Sequence, residues 1–197
     1  MVEWKRPFHS EFFLPIMLAP PKPANEAARI AALYALLMLD TPPEQRFDRI
    51  VEFAAQEFDA PIALITLLDD DRQWFKAAIG MGTTCQTSRD ISFCGHTILK
   101  SEIMVIEDAL EDPRFADNPL VTGPPHIRFY AGAPLVLPSG YAMGSLCVID
   151  TRPRRLDGME LAILSTLRHL VVQQLIGEDG GEDEGNDDDK GREATDA

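Results

Sequence analysis

The stretch PIALITLLDDDRQWFKAAIG, residues 61–80, decides the fold class of this 197-residue chain. Residues 62–68 form a continuous apolar run, which is typical of a β-strand covered on both faces. Residues 69–72 predict a turn, and residues 73–79 return as a second strand. The segment therefore predicts an antiparallel hairpin in a sheet that is covered on both sides.

Two helices are predicted before this hairpin. The first begins after Asn25, a residue type that favours the N-cap, and has an apolar stripe at helical spacing. The stripe consists of Ile30, Leu33, Tyr34 and Leu37. The second begins at TPPE, in which we expect Thr41 to be the N-cap, Pro42 the first helical residue and Glu44 the closing member of a capping box.

The segment after the hairpin is mostly loop. Ser92 is expected to cap a short helix over residues 93–100, and residues 104–106 predict a brief strand. Residues 108–126 form a long connection that is rich in proline, aspartate and asparagine. Connections of this length inside a compact domain are uncommon and usually functional.

A second hairpin is predicted over residues 128–149, with Ser139-Gly140 as its two-residue turn. In that register the numbers of paired residues sum to 279, so Gly132 lies opposite Cys147 and Tyr130 opposite Ile149. One face then holds a cation, a phenol, a hydroxyl, a thiol and a space-leaving glycine, which is the composition of a pocket wall. These residues are Arg128, Tyr130, Gly132, Ser145 and Cys147.

A long final helix is expected to start after Asp157 and to continue to residue 176. The order of elements predicts an α+β fold, in which a mostly antiparallel sheet packs between helices. The final helix is apolar on most of its circumference, which favours burial both against the sheet and against another subunit. We therefore expect a homodimer through the terminal helices.

Charge and composition divide the chain into three parts. Residues 1–24 are expected to be a flexible leader, residues 25–176 one folded domain and residues 177–197 a disordered acidic tail. Met17 is a candidate alternative start. The formal net charge is −14, and the tail supplies most of it. This balance argues against binding to nucleic acid or to an anionic membrane surface.

The cysteines and the apolar runs indicate a reducing, aqueous environment. Three cysteines in a chain of this length do not make a disulfide framework, so we expect a cytoplasmic protein. The longest uncharged run, residues 129–149, contains prolines and glycines that break a membrane helix. We interpret that run as two strands.

Several segments resemble a known family. LDTPPEQRFDRIVEFAA, the first hairpin, SRDISFCGHTIL, DPRFADNPLVTGPPHIRFYAGAPL and GSLCVID together resemble a GAF domain, in the subfamily at the front of bacterial sensor histidine kinases and diguanylate cyclases. The resemblance covers residues 26–176. It implies a sensory module with a ligand cavity under the long loop and with terminal helices that signal to an output domain. No kinase, cyclase or DNA-binding sequence follows residue 176, so we expect either a separate output protein, a kinase or a cyclase, or a standalone sensor or remnant.

The candidate ligand-pocket residues are Cys94, His96, Phe115, Arg128, Tyr130, Ser145 and Cys147. An arginine on a strand can clamp a carboxylate or phosphate, or it can pin the long loop through a neighbouring aspartate. Cys94 lies in the first turn of a helix, where a thiolate is favoured, or it is a buried and unreactive thiol. No metal site is predicted, and the cofactor is unknown.

Three functions are compatible with these residues. The first is a non-enzymatic sensory domain that binds an unknown small molecule. The second is a thiol-dependent redox protein that resembles free methionine-(R)-sulfoxide reductase and uses Cys94 with Cys85. It lacks a cysteine in the later loop, where Asn118 stands instead. The third is an interaction module without a ligand. Motifs of bilin-binding and cyclic-nucleotide-binding relatives are incomplete here.

Overall fold

The computed structural model describes residues 17–177. It contains a six-stranded, fully antiparallel sheet with the strand order β3-β2-β1-β6-β5-β4. The elements are α1 (Glu26–Ala35), α2 (Gln45–Glu57), β1 (Ile62–Leu68), β2 (Arg72–Ile79), β3 (Gln86–Ser88), a 3-10 turn (Arg89–Ile91), α3 (Phe93–Thr97), β4 (Met104–Ile106), α4 (Pro119–Thr122), β5 (Phe129–Val136), β6 (Ala142–Asp150) and α5 (Gly158–Ile176).

The two faces of the sheet are covered differently. Helices α1, α2 and α5 pack on one face, which we call the helix face, while α3 and the connection between β4 and β5 cover the other, which we call the loop face. Alternation along the strands sends Ile65 and Leu67 to the helix face and Leu64 and Leu68 to the loop face. Strand β1 is buried along its whole length, as the apolar run predicts.

The second hairpin has the predicted register over most of its length. Tyr130 pairs with Ile149, Gly132 with Cys147 and Pro134 with Ser145. The predicted two-residue turn is wrong, because a bulge between Pro134 and Val136 shifts the pairing by one residue before the turn. The amide of Leu137 instead donates to the carbonyl of Tyr141 at 3.0 Å.

The predicted start of α2 is also wrong. The helix begins at Gln45 after Glu44, and Thr41 caps nothing. The Thr41 hydroxyl instead donates to the carbonyl of Met38 at 2.8 Å and accepts from the Lys76 ammonium at 2.6 Å. The tertiary contact with Lys76 therefore takes the hydroxyl that the capping box requires.

The other helix boundaries differ less. Asn25 stands at the N-cap of α1, but its side chain makes no capping bond, and Leu37 lies beyond the helix with a left-handed φ of 52°. Ser92 caps α3 as predicted, but this helix ends at Thr97. Asp157 caps α5 in a capping box, as expected for that position.

The packed part of the chain begins inside the predicted leader. The carbonyl of Leu18 lies 3.0 Å from the Nε2 atom of His96 on α3. Pro20 is buried and packs on Gly95, where an added Cβ would lie 2.5 Å from the proline ring. Residues 17–24 thus run over α3. Residues 1–16 and the acidic tail from residue 178 lie outside the described residues.

Candidate functional site

Four of the predicted pocket residues meet on the loop face. Tyr130 on β5, Ser145 and Cys147 on β6, and Cys94 on α3 are all buried, with exposed fractions between 0% and 2%. The Sγ atoms of Cys94 and Cys147 lie 3.9 Å apart, and the Tyr130 hydroxyl lies 3.4 Å from the Cys94 sulfur. Residues from two strands and a helix therefore form one cluster, which we call the thiol cluster.

Two threonines complete the thiol cluster. The Thr97 hydroxyl lies 2.7 Å from that of Tyr130, and it reaches the carbonyl of Phe93 at 3.2 Å. The Thr66 hydroxyl lies 3.4 Å from that of Ser145, across the β1–β6 pair. Sequence reasoning missed both residues. The signal for Thr66 was its position as the one hydroxyl in the apolar run of β1.

The Tyr130 hydroxyl has one proton and three neighbours that can accept it, namely the Cys94 sulfur, the Thr97 hydroxyl and, at 3.5 Å, the Ser145 hydroxyl. If Cys94 is a thiolate, Tyr130 donates to the sulfur and accepts from Thr97. If Cys94 is a neutral thiol, Tyr130 is free to donate to Thr97, whose own proton then goes to the carbonyl of Phe93. The hydroxyls can therefore rearrange to serve either charge state of the sulfur.

The two thiols have opposite pKa shifts. Burial opposes ionisation of Cys94, but hydrogen bonds from Cys147, Ser145, Thr66 and Tyr130 outweigh it and lower its pKa. The bond to Cys94 and burial raise the pKa of Cys147. Burial and the neighbouring sulfurs likewise raise the pKa of Tyr130. Ionisation of one thiol therefore opposes ionisation of the other.

The thiol cluster is closely packed, so the expectation that these side chains line an open cavity under the loop is corrected. The ring of Tyr130 folds over Gly132, where an added Cβ would lie 2.1 Å from the phenol oxygen. Phe93 stacks on Phe115 with centroids 4.0 Å apart, and the Phe93 ring lies 5.2 Å from that of Tyr130. Aromatic side chains thus fill the space that the glycine leaves.

Arg128 lies apart from the thiol cluster. It precedes β5, and its guanidinium donates to the carbonyls of Val121 at 3.0 Å and Ile127 at 2.9 Å. Both of these hydrogen bonds go to the end of the loop, and neither goes to the thiol cluster. Arg128 therefore holds α4 and the end of the loop in place through backbone carbonyls. The interpretation that it pins the loop by pairing with an aspartate names the wrong acceptor.

His96 and Phe115 lie at the border between the thiol cluster and an adjacent cavity. Their rings meet edge to face at 5.0 Å. Burial lowers the pKa of His96 and outweighs the opposing contact with Leu18. The cavity has a volume of about 410 Å³ and is partly enclosed. Its lining residues are His96, Thr97, Leu99, Lys100, Glu102, Ile103, Met104 and Arg114.

A chain of ion pairs joins the loop face to α1. Arg89, in the turn before α3, is 3% exposed and contacts both Glu26 of α1 and the carbonyl of Asp69. Arg29, also buried, donates two hydrogen bonds to Glu26 at 2.8 Å each. Burial opposes ionisation of Glu26, but the two arginines outweigh it and lower its pKa to about 2. Sequence reasoning did not find this chain.

Cys85 does not join the thiol cluster. It is exposed in the loop between β2 and β3, where its carbonyl accepts from the Phe75 amide at 2.9 Å. The sulfur that Cys94 contacts belongs to Cys147. Within residues 17–177, no group of three histidine, cysteine or acidic side chains has a metal-binding arrangement.

Solved structures with this architecture define the class of fold. One is the GAF domain of an Acinetobacter phosphoenolpyruvate-protein phosphotransferase, with a TM-score of 0.58, 18% identity, and coverage of 78% of this chain and 94% of that one. Another is free methionine-R-sulfoxide reductase from Neisseria meningitidis in complex with its substrate. Its TM-score is 0.55 at 14% identity, over 81% of this chain and 95% of that one. At these identities the likeness shows the fold alone.

Sequence comparison gives the family. The GAF domain profile matches residues 42–175, and this chain belongs to the GAF domain family. The chain is also 44% identical over 160 residues to a cyclic di-GMP phosphodiesterase of Pseudomonas aeruginosa strain PAO1. The match covers 81% of this chain and 27% of that protein, so the chain spans about a quarter of the relative's length. Among the described residues, no helix has the length and apolar character that crossing a bilayer requires.

Proposed function

We propose that this chain is a non-enzymatic sensory domain that binds a small molecule on the loop face and signals through its terminal helices. The observation that carries the proposal is the cavity of about 410 Å³ beside the thiol cluster. Thr97 belongs to both, because its hydroxyl contacts Tyr130 while the residue lines the cavity. A ligand in the cavity therefore touches the helix that covers the cluster.

The cavity favours a small molecule with an acidic group. His96, Lys100 and Arg114 contribute nitrogen donors to its wall. The Arg114 guanidinium is already held by Asp112, with hydrogen bonds of 2.9 Å and 2.6 Å, so its position is fixed before a ligand arrives. Asp112 occupies the Nε and Nη2 atoms, so Nη1 is the Arg114 atom that remains to donate to a ligand oxygen.

Ligand binding is tested by thermal unfolding and native mass spectrometry. A panel of small carboxylates and phosphates should raise the melting temperature of the wild-type chain, and Arg114→Gln should remove the shift. Arg155→Gln is the matched control, because Arg155 is 84% exposed and pairs with Glu107 elsewhere. Melting temperatures that stay unchanged with every compound would favour an interaction module without a ligand.

The ion-pair chain gives the signal a physical route to α1. A shift of α3 moves the adjoining turn that holds Arg89, and Arg89 contacts Glu26 in the first turn of α1. Buried ion pairs tolerate little loss of geometry, because separated charges in the interior are costly. We therefore expect a ligand on the loop face to change hydrogen exchange in α1.

The outer surface of α2 and α5 fits a second copy of the chain. A groove of about 590 Å³ runs between α2 and α5, and Phe53 and Leu170 beside it are 49% and 44% exposed. Met159, 74% exposed, lies in the same groove. Two copies related by a two-fold axis can each insert such side chains into the groove of the other.

Sedimentation of the full chain tests the homodimer. Leu170→Glu should convert a dimer to a monomer, whereas Leu110→Glu should not, since Leu110 has a similar exposure of 47% but lies on the opposite face. A wild-type chain that sediments as a monomer at all concentrations would contradict the proposal.

The proposed output is the control of a signalling enzyme. The similarity to a cyclic di-GMP phosphodiesterase supports a regulatory role toward an enzyme of cyclic di-GMP metabolism, and a histidine kinase is the other candidate. This chain alone should not hydrolyse cyclic di-GMP. Hydrolysis by the purified chain that a catalytic impurity does not explain would contradict a purely sensory role.

A further inference from the structure

We propose that Cys94 and Cys147 form a reversible disulfide in response to a peroxide, which makes the thiol cluster a redox-sensing site. The inference goes beyond ligand sensing and does not depend on it. The pair differs from the Cys85–Cys94 pair that the sequence suggests. The observation that carries it is the direct contact between two buried free thiols on different elements, with the sulfurs 3.9 Å apart.

The separation of the two sulfurs sets the movement that the bond requires. A disulfide needs a sulfur separation near 2 Å, so the two atoms must approach by about 2 Å. Cys147 is fixed in a central strand, between β1 and β5. Cys94 lies in a helix of five residues, which can move toward the sheet more easily than a strand can.

The surroundings prepare Cys94 as the attacking group. The Tyr130 hydroxyl donates to its sulfur at 3.4 Å, and Ser145 and Thr66 add two further hydroxyls to the same cluster. A buried thiol in an apolar core has no such donors and is inert. The lowered pKa of Cys94 agrees with this arrangement.

The chemistry takes two steps. The Cys94 thiolate attacks one oxygen of hydrogen peroxide, an S–O bond forms, the O–O bond breaks and hydroxide leaves. Cys94 is thereby oxidised to a sulfenic acid, and the peroxide is reduced. The Cys147 sulfur then attacks Cys94, the S–S bond forms and the S–O bond breaks. The oxygen leaves as water with the proton of Cys147, and a dithiol reductant restores both thiols by exchange.

The peroxide reaches the sulfur by the cavity side. Thr97 lines the cavity, and its hydroxyl is 2.7 Å from Tyr130, which contacts Cys94. The side chains of Thr97 and Tyr130 therefore separate the cavity from the thiol. Hydrogen peroxide is close to water in size, and local opening of a five-residue helix is enough to admit it.

The test uses the full chain carrying Cys85→Ser, which removes the exposed thiol. After treatment with hydrogen peroxide, denaturation and alkylation, both remaining thiols should be lost together, and peptide mapping should find residues 94 and 147 crosslinked. Dithiothreitol should restore both. Tyr130→Phe, a conservative change, should slow the oxidation. Thiols that remain fully alkylatable would overturn the proposal, and so would oxidation of Cys94 without a crosslink.

Two further measurements keep the result independent of folding defects. The wild-type chain, mapped in the same way, must give the 94–147 crosslink and not an 85–94 crosslink. Cys147→Ala removes the thiol that resolves the sulfenic acid, so Cys94 should gain the mass of one or two oxygen atoms and form no crosslink, while circular dichroism reports the folding of this variant. An 85–94 crosslink in the wild type would instead support the reductase-like alternative.

Discussion

The two faces of the sheet bury side chains of different chemistry. On the helix face, Phe129, Leu135 and Leu146 pack as hydrocarbon, without a hydrogen-bonding group among them. On the loop face, the neighbouring residue Tyr130 contacts a thiol and the hydroxyl of Thr97. Apolar side chains stabilise a fold by packing alone, whereas each buried polar group also needs a hydrogen-bond partner. The comparison shows a mainly apolar core on one face of the sheet, with Lys76 as a buried charge in it, and a cluster of thiols and hydroxyls on the other.

The largest expected effect tests the helix face. Phe129→Ala removes a fully buried ring from the packing against α5 and should lower the free energy of unfolding by about 3–5 kcal/mol. Urea denaturation measures the change. Phe53→Ala is the control of the same residue type, since Phe53 is 49% exposed, and should cost much less. If the two variants lost the same free energy of unfolding, the groove residue Phe53 would be as important for stability as the core residue Phe129, which would contradict this comparison.

The next effect concerns the ion-pair chain that joins the faces. Glu26→Gln leaves Arg29 and Arg89 without their counter-charge and should lower the free energy of unfolding by about 2 kcal/mol at neutral pH. The cost is below that of a fully buried pair, because the Glu26 side chain is 14% exposed and water can partly solvate the arginines.

The pH dependence of stability gives the same carboxylate a second test. Its pKa is lowered from 4.5 to about 2 on folding, so its contribution is present above pH 4.5 and is lost as the pH falls toward 2. The stability of Glu26→Gln should therefore fall less steeply than that of the wild type over this range. Parallel curves in urea titrations at several pH values would argue against the ion pairs.

A smaller effect tests the loop face. Tyr130→Phe keeps the ring over Gly132 but removes the hydroxyl that contacts Cys94 and Thr97, and should cost about 1–2 kcal/mol. Chemical denaturation compares it with Tyr141→Phe, a tyrosine outside the thiol cluster. A cost as large as that of Phe129→Ala would show that both faces contribute to stability in the same way.

The smallest effect concerns the start of α3. Ser92→Ala removes the side-chain oxygen that accepts from the Gly95 amide at 2.7 Å and should cost about 1 kcal/mol. Ser88→Ala is the control, because its contact with the Asp90 amide is long, at 3.3 Å, and exposed. Hydrogen exchange of residues 93–97 should rise in the first variant and stay unchanged in the second.

The local patterns of the sequence predicted most of the fold. Strand β1 has the predicted bounds, because a continuous apolar run of seven residues admits few alternatives. The register of the second hairpin was correct at Gly132 and Cys147, where alternation determines the faces. The predicted turn was wrong because a bulge changes the pairing by one residue, and the sequence contains no residue type that indicates the bulge.

The site was less predictable, because its contacts are distant in sequence. Cys94 and Cys147 are separated by 53 positions, and their approach depends on how α3 lies on the sheet. Thr41 was assigned to a cap, and its hydroxyl is instead used by Lys76, 35 positions away. Long-range hydrogen bonds therefore override local preference at the positions where the sequence-based prediction fails.

The side chain of Tyr130 occupies the space that a side chain at position 132 would need. The residue types at these two positions therefore depend on each other. A methyl group at position 132 would collide with the phenol oxygen, whereas a small residue at position 130 would leave a hollow the size of an aromatic ring. A single substitution at position 130 would therefore be enough to open a cavity beneath α3.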